Sequence, residues 1–374
     1  DSVNSVSVFI SLLNNIFSDY MQSIKWYIIR NEERKFYLFY KENDEIIWCC
    51  NLLEKIRDQE KYLYAPRGPV FKQNDLNFMN KFLNSIKQWM ENKGYFKLVI
   101  NPYFKMDDLH LISTNFKYEI TGRTDYAKLL DSCKLAIMDI VFDEDAMISK
   151  LPSKFRQNTR RSYRKNLISK VSKNVDLNSF FKLYLQTSER HGFTPHSLEY
   201  FKKLVDIFND NLIFIEVWHD NEPLAMSIDI IYNDKLIYLY GVSSTENRNL
   251  LGMYNLQWEA IKYCIRNNIS KYDFGGVFCE EDDVNNKDYG LYTFKKGYCY
   301  NGFIDVVPDL TFTFGGLVDA KKLVDGAPAA IKENISPEEA EEIKKKYNSK
   351  KYKVGMYGDI DRNSKLYKNL KIDV

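Results

Sequence analysis

Apolar residues return in two rhythms along this chain, and the alternation between them outlines an α/β protein. Between residues 26 and 71 the short runs WYIIR, KFYLFY, EIIWCC and KYLYAP are separated by charged turns, which predicts antiparallel strands. From Asp75 to Asn92 the period changes. Leu76, Met79, Phe82, Leu83, Ile86 and Met90 fall at helical spacing, with Gly94 as a stop. YFKLVI then reads as a strand halted at Asn101-Pro102.

The second half repeats the plan. Ser197 to Phe208 reads as a helix, and LIFIEVW, PLAMSIDIIY and KLIYLYGV form a three-strand meander turning at HDNE and YNDK. A helix from about Met253 to Asn267 and the strand KYDF follow. Helix, meander, helix and strand occurring twice point to mixed sheets in two similar domains in tandem. The expected divisions are 1–145, 146–312, a helical segment at 313–350, and a C-terminal segment at 351–374.

Composition narrows the picture. The 374 residues carry a net charge of +2, so any attraction to nucleic acid has to be local. Cys49, Cys50, Cys133, Cys264, Cys279 and Cys299 include no C-x-x-C pair, which argues against zinc or a disulfide scaffold and for a reducing cytoplasm. VSVFISLL is too short for a membrane span and has no basic leader, so neither a span nor a signal peptide is expected.

The local charge lies between the halves. Leu151 to Val175 holds eight Lys or Arg and no acid. Arg156, Arg160 and Arg164 stand at i, i+4 and i+8, so one helix would carry them on one face. A solvated surface is the simple reading of such a run. The unbalanced excess points instead to a phosphate-binding surface, to which Arg161 and Lys165 also belong.

A second constellation is KYDFGGVFCEEDDVNNKDYGLYTFKKGY, Lys271 to Tyr298. Gly275 and Gly276 end a strand, where a missing Cβ lets a substrate backbone or the next loop come close. Glu280, Glu281, Asp282 and Asp283 lack the spacing of a calcium loop and read as a solvated loop, so no metal site is expected.

Four segments in this order resemble the Fem family (FemABX) of aminoacyl-tRNA-dependent peptidoglycan aminoacyltransferases: QSIKWYIIR, YAPRGPVF, SKFRQNTRRSYRKN, and YDFGG with FKKGY. The resemblance implies two GNAT-like domains and transfer of an amino acid from its tRNA ester to a stem-peptide amine of a cell-wall precursor. An ester is already activated, so no cofactor is expected. What remains is to position the amine, remove its proton and stabilise the oxyanion.

Residue by residue, the resemblance implies that Lys295 sits beside the tetrahedral intermediate, with Phe294 and Tyr298 packed around it. Arg30 matches a basic position that meets the precursor's phosphate, and Tyr200 and Tyr240 match tyrosines lining the same cleft. His196 stands where the family commonly has arginine, which alters phosphate recognition. Arg67, between prolines, either staples its turn or binds substrate. The family's Asp-Pro is Asn101-Pro102 here, and an Asn cannot be a general base, so none is assigned. The implied partners are aminoacyl-tRNA and a lipid-linked or nucleotide-linked precursor, met by a monomer in the cytoplasm at the inner membrane face.

Three other readings keep the fold. An acyl-CoA transferase needs a glycine-rich pyrophosphate loop, and NRNLLGMYN has Arg248 and Gly252 at the wrong spacing. A tRNA-dependent enzyme acting on a peptide outside the cell wall would use the same residues. A non-catalytic precursor-binding protein would not need Lys295. Residues 315–347 resemble part of the C-terminal domain of the ribosomal stalk protein, with a capped helix start at Ser336-Pro337-Glu338-Glu339. That makes elongation factor Tu a candidate partner, against the alternative of two packing helices or a graft.

Overall fold

The computed structural model describes residues 19–30, 34–42, 45–57, 60–71, 78–111, 116–120, 133–314 and 354–357. The chain divides into two compact units, one of residues 1–122 with 307–374 and one of 123–306. The expectation of stalk-like helices at 315–350 lies outside the described residues.

The first unit is a mixed sheet in the order β15-β1-β2-β3-β5-β14-β6, with β4 also on β2. Its strands are β1 (Lys35–Glu42), β2 (Glu45–Arg57), β3 (Glu60–Ala65), β4 (Val70–Phe71), β5 (Lys97–Ile100), β6 (Tyr118–Ile120), β14 (Leu310–Thr313) and β15 (Val354–Tyr357). WYIIR, predicted as a strand, belongs instead to helix α1 (Ile24–Ile29). The Ser23 hydroxyl accepts from the Trp26 N–H at its start, a cap that outweighs the β-propensity of the run.

Helix α2 (Phe78–Asn92) buries Met79, Phe82, Leu83, Ile86, Trp89 and Met90 against the sheet, with the Phe82 ring edge-on to Trp48 at 5.0 Å. It stops where predicted. Gly94 takes φ +76° and the Tyr95 N–H returns to the Met90 carbonyl.

The second unit repeats the arrangement in the order β13-β7-β12-β11-β10-β9-β8. Its elements in chain order are β7 (Lys134–Asp139), α3 (Glu144–Lys150), α4 (Ser153–Ser162), β8 (Ile168–Ser172), α5 (Leu177–His191), α6 (Leu198–Phe208), β9 (Leu212–His219), β10 (Glu222–Tyr232), β11 (Lys235–Ser243), α7 (Gly252–Arg266), β12 (Lys271–Gly276), α8 (Tyr289–Tyr298) and β13 (Ile304–Asp305). The meander is as predicted, with Asp220 and Asn221 at φ 48° and 63° in its first turn, the twist a tight hairpin needs.

Strands cross the expected divisions. β7, assigned to the first domain by the 1–145 expectation, pairs with β12 and β13 in the second sheet. β14, assigned to the second by 146–312, pairs with β5 and β6 in the first. Hydrogen-bond pairing decides membership here, and the sequence signal for it lies far along the chain.

Each sheet contains one parallel pair joined through a helix, β3–α2–β5 in the first unit and β11–α7–β12 in the second, among antiparallel neighbours. The two pairs differ at their ends. β3 and β5 stay paired through Ala65 and Ile100, the last residue of each. β11 and β12 pair only from Lys235–Lys271 to Ile237–Asp273, although β11 continues to Ser243 and β12 to Gly276.

Candidate functional site

The site in the second unit begins where β12 parts from β11, while Gly276 still pairs with Leu135 of β7. The Asp273 carboxylate accepts from the Gly275 N–H at 2.8 Å, and Gly275 turns through φ +80°, a region that favours glycine. The register with β7 breaks over this stretch, between Asp273 and Gly276. The Lys295 ammonium, brought in by the last turn of α8, donates to the Gly276 carbonyl at 2.7 Å. A Cβ on Gly275 would lie 4.0 Å from Lys295 Nζ, so the glycine is required by its backbone angle rather than by crowding.

Lys295 is 7% exposed. Burial pulls its amine down to about 8, against the opposing pull of the Asp273 carboxylate, so it is an ammonium at neutral pH and close to losing that charge. Its neighbour diverges. Lys296 is exposed, ion-paired with Glu281 and 5.8 Å from the Tyr292 ring centroid, because successive helical side chains point about 100° apart. The acidic loop is held by such pairs, Glu280 with Lys134 and Glu281 with Lys296. Among the described residues no three or more His, Cys, Asp or Glu are grouped to hold a metal ion.

Phe294 and Tyr298 face an aromatic cluster. Phe294 lies 5.1 Å from Tyr298, 5.6 Å from Tyr254 and 6.2 Å from Phe155 of α4. Phe155 reaches this position because residue 297 has no side chain: a Cβ on Gly297 would meet the ring at 1.9 Å. Helix α4 is thereby seated on the helix that carries Lys295.

The basic segment is shorter as a helix than predicted. α4 ends at Ser162, and Arg164 and Lys165 lie in the following turn, so Arg156, Arg160 and Arg164 do not share a helix face. Arg156 is also committed elsewhere. Its Nη1 donates to the carbonyl of Leu151 at 2.6 Å and of Ser149 at 3.4 Å, covering the end of α3. Arg160, Arg161 and Arg164 are exposed and Lys165 is half-buried.

His196, Tyr200 and Tyr240 come together as one group. The Tyr200 and Tyr240 hydroxyls are 2.9 Å apart, and the His196 ring stacks on Tyr200 at 4.1 Å. A bulge that leaves Leu239 unpaired between Tyr238 and Tyr240 sets the position of Tyr240. Tyr184 of α5 is a member that sequence reasoning missed. Its hydroxyl accepts from the His196 N–H at 3.3 Å, and its ring meets Tyr240 edge-on at 6.1 Å. The signal was there in the helical spacing of Phe180, Leu183, Tyr184 and Thr187 after the Asp176 cap.

In the first unit, Arg30 ends α1 with its guanidinium 5.0 Å from the Trp26 ring centroid. Arg67 is buried at 3% exposure and φ 53°. Its N–H donates to Asn101 Oδ1 at 2.6 Å, while Asn101 Nδ2 donates to the Tyr64 hydroxyl at 3.2 Å and Asp309 Oδ1 at 3.0 Å. Both ends of the Asn101 amide are therefore used to hold the turn after β3 to the end of β5.

Residues 12–133, 114–217 and 214–308 match the FemAB family, and residues 304–350 match the ribosomal protein L7/L12 C-terminal domain. The UDP-N-acetylmuramoylpentapeptide-lysine N(6)-alanyltransferase of Weissella viridescens is 24% identical over 305 residues, 77% of this chain and 89% of the relative. Aminoacyltransferase FemB of Staphylococcus epidermidis is 20% identical over 337 residues, 69% of this chain and 81% of the relative. The structure of FemX superposes with a TM-score of 0.72 at 17% identity, covering 84% of this chain and 97% of FemX, which shows a common fold.

Proposed function

The chain belongs to the FemAB family, and from that premise we propose that it transfers an amino acid from aminoacyl-tRNA to an amine on the stem peptide of a peptidoglycan precursor. Membership and the aminoacyltransferases among its relatives make it an aminoacyltransferase. The observation that carries the mechanism is the buried Lys295 ammonium at the open end of β12.

The acceptor amine attacks the ester carbonyl of the donor, and the carbonyl oxygen takes up negative charge. A desolvated ammonium already held by the Gly276 carbonyl and balanced by Asp273 stabilises that oxygen without reorganising solvent. The intermediate then collapses: the amide forms, the ester C–O bond breaks, and the ribose oxygen leaves with a proton equivalent to the one the amine gives up. No covalent enzyme intermediate is needed.

His196, Tyr200 and Tyr240, sharing hydroxyls and a stacked ring, suit the polar groups of a substrate in this unit. Arg30, which is half-buried on Trp26, suits the precursor's phosphate. The Arg67 main-chain N–H ties its turn to Asn101, and its side chain keeps substrate as a proposed target. Arg160, Arg161, Arg164 and Lys165 form the surface for the tRNA backbone, with Arg156 holding α3 instead. A lipid-linked precursor would bring the enzyme to the inner membrane face. Elongation factor Tu is a further proposed partner, suggested by the likeness of residues 304–350 to the L7/L12 C-terminal domain; equal recovery of the factor with and without residues 315–350 would remove it.

Incubation with purified precursor and a mixture of charged tRNAs, followed by mass measurement, tests the reading. A gain of one amino-acid residue on the precursor is expected and identifies the donor. Acetylation from acetyl-CoA, or aminoacylation of only a peptide without the sugar, would replace it.

A further inference from the structure

The turn that ends α4 carries an aromatic residue inside the basic run. Tyr163 stands between Arg161 and Arg164 in the chain and is 44% exposed. Its backbone is still helical, with φ −67° and ψ −13°, so Arg160 lies beside it one turn earlier. Arg160, Arg161 and Arg164 are exposed as well. Phe142 and Phe278 are other exposed rings, but their neighbours in the chain are acids, Asp143 for one and Glu280 and Glu281 for the other.

An exposed ring ordinarily moves between rotamers. This one is held by α7, on which α4 packs. The Tyr163 hydroxyl donates to Glu259 Oε1 at 2.5 Å, and Lys262 Nζ lies 4.8 Å from the ring centroid while it pairs with the same carboxylate oxygen at 2.5 Å. Both α7 side chains are largely buried. Glu259 is thus matched by Lys262, and Glu144, the other carboxylate acting on this hydroxyl, is matched by Arg266 at 3.4 Å. Neither meets an incoming anion unpaired.

A flat ring oriented from α7 and edged by arginines offers what single-stranded nucleic acid uses, a face on which a base stacks and cations beside it for phosphates. A base-paired stem has its bases already stacked on one another. A bare phosphate or an acidic peptide would use the arginines and leave the ring idle.

We propose that Tyr163 is a stacking platform for an unpaired base of the donor RNA, with Arg160 and Arg164 on the flanking phosphates. The inference rests on the aminoacyl-tRNA reading and adds base stacking to a surface otherwise given only to the backbone. Because the ring is set in place by Glu259 and Lys262, stacking on it requires little further ordering of the protein.

Two probes of equal length and charge test this, a short single-stranded RNA ending in CCA and an abasic counterpart that keeps the sugar-phosphate backbone without bases. The full chain is titrated with each as wild type, Tyr163→Leu, Tyr163→Phe and Arg160→Gln/Arg164→Gln, across a range of salt, and thermal melts confirm that each is folded. The wild type is expected to prefer the base-bearing RNA by about ten-fold, and Tyr163→Leu to lose that preference with its salt slope unchanged. Tyr163→Phe keeps the ring and should keep most of the preference. Arg160→Gln/Arg164→Gln should weaken both oligomers alike and make the log–log salt slope shallower by about 1.4 for two lost phosphate contacts.

A wild type that binds both oligomers equally would overturn the platform without any variant, and so would a Tyr163→Leu protein that keeps the preference. A Tyr163→Phe protein that loses as much as Tyr163→Leu would make the hydroxyl the contact and overturn it equally. Transfer from aminoacyl-tRNA by the wild type is measured separately. If transfer occurs while the preference is absent, the platform falls and the functional reading stands. If the preference depends on Tyr163 while transfer fails, the functional reading falls and the platform stands.

Discussion

The two units share a sheet plan and differ at the end of the parallel strand pair. In the first, β3 and β5 remain paired to their last residues, and the polar side chains there spend their hydrogen bonds on one another through Asn101. In the second, β11 and β12 part after Ile237 and Asp273, and a lysine ammonium donates to the Gly276 carbonyl beyond the last pair. A closed end makes a structural joint. An open end leaves a buried charge, the one the proposed mechanism uses, and the molecule carries the desolvation of that charge as a standing cost.

Lys295→Met breaks the open end most directly. Turnover is expected to fall by about 10²–10³-fold with little change in the KM for precursor, as for removal of an oxyanion donor. Steady-state kinetics with both substrates varied would check this, and unchanged turnover would remove Lys295 from the mechanism. The proposed mechanism uses the ammonium, and burial pulls Lys295 down to about 8, so on that mechanism wild-type turnover should decline as pH rises through 8. A rise through the same range would instead make Lys295 a base.

Stability carries the opposite sign. The folded amine loses its proton near 8 and the unfolded one near its usual 10.5, so between those values the unfolded state binds more protons and stability increases with pH. Below 8 the native state bears the full cost of the buried charge. Lys295→Met should therefore melt at or above the wild type at pH 7, with its advantage shrinking as pH approaches 10.5.

The closed end is broken by Asn101→Asp, which replaces a donor to Asp309 with a second carboxylate in a site where Asp309 is 2% exposed. One of the two must stay protonated, so the pair's apparent pKa rises above the unfolded value. Stability is then closest to wild type in acid and lost as pH rises from about 4, reaching a deficit of about 2–3 kcal/mol at pH 7. Urea titrations at pH 5 and pH 8 would show it as a deficit that grows with pH. A pH-independent deficit would mean that Asn101 is held by shape alone.

Gly297→Ala tests how firmly the open end is braced. The added Cβ meets Phe155 at 1.9 Å, and α4 has to move off α8 at a cost of about 2 kcal/mol. Phe155→Leu, with a smaller side chain, should cost less in the Gly297→Ala background than alone. Additivity in that double-mutant cycle would show the two helices to be independent.

The elements with a strong local signal were legible: the meander from its turn residues, and α2 from its spacing and glycine stop. Membership of β7 and β14 was not, since it depends on pairings such as Leu310 with Ile100 that no local pattern encodes. Tyr200 and Tyr240 could be singled out one by one. Their hydroxyl contact depends on a bulge at Leu239 that the apolar run KLIYLYGV conceals. Lys295 and Lys296 look equivalent in sequence, and only the packing of α8 buries one and exposes the other.

Arg156 offers the smallest and most diagnostic change. It lies in the same basic run as Arg160 and Arg161, and charge counting gives all three the same role. Pro152 follows the end of α3, and Arg156 reaches back to the Leu151 and Ser149 carbonyls that the helix leaves without partners. Arg156→Gln should then lower stability by about 1 kcal/mol and leave the salt slope of tRNA binding unchanged. Arg160→Gln/Arg161→Gln should do the reverse, leaving the melt alone and reducing the slope by about 1.5. A slope that falls as much for Arg156 as for the exposed pair would place its guanidinium on the RNA. The brace between α3 and α4 would then be a resting contact that the donor displaces.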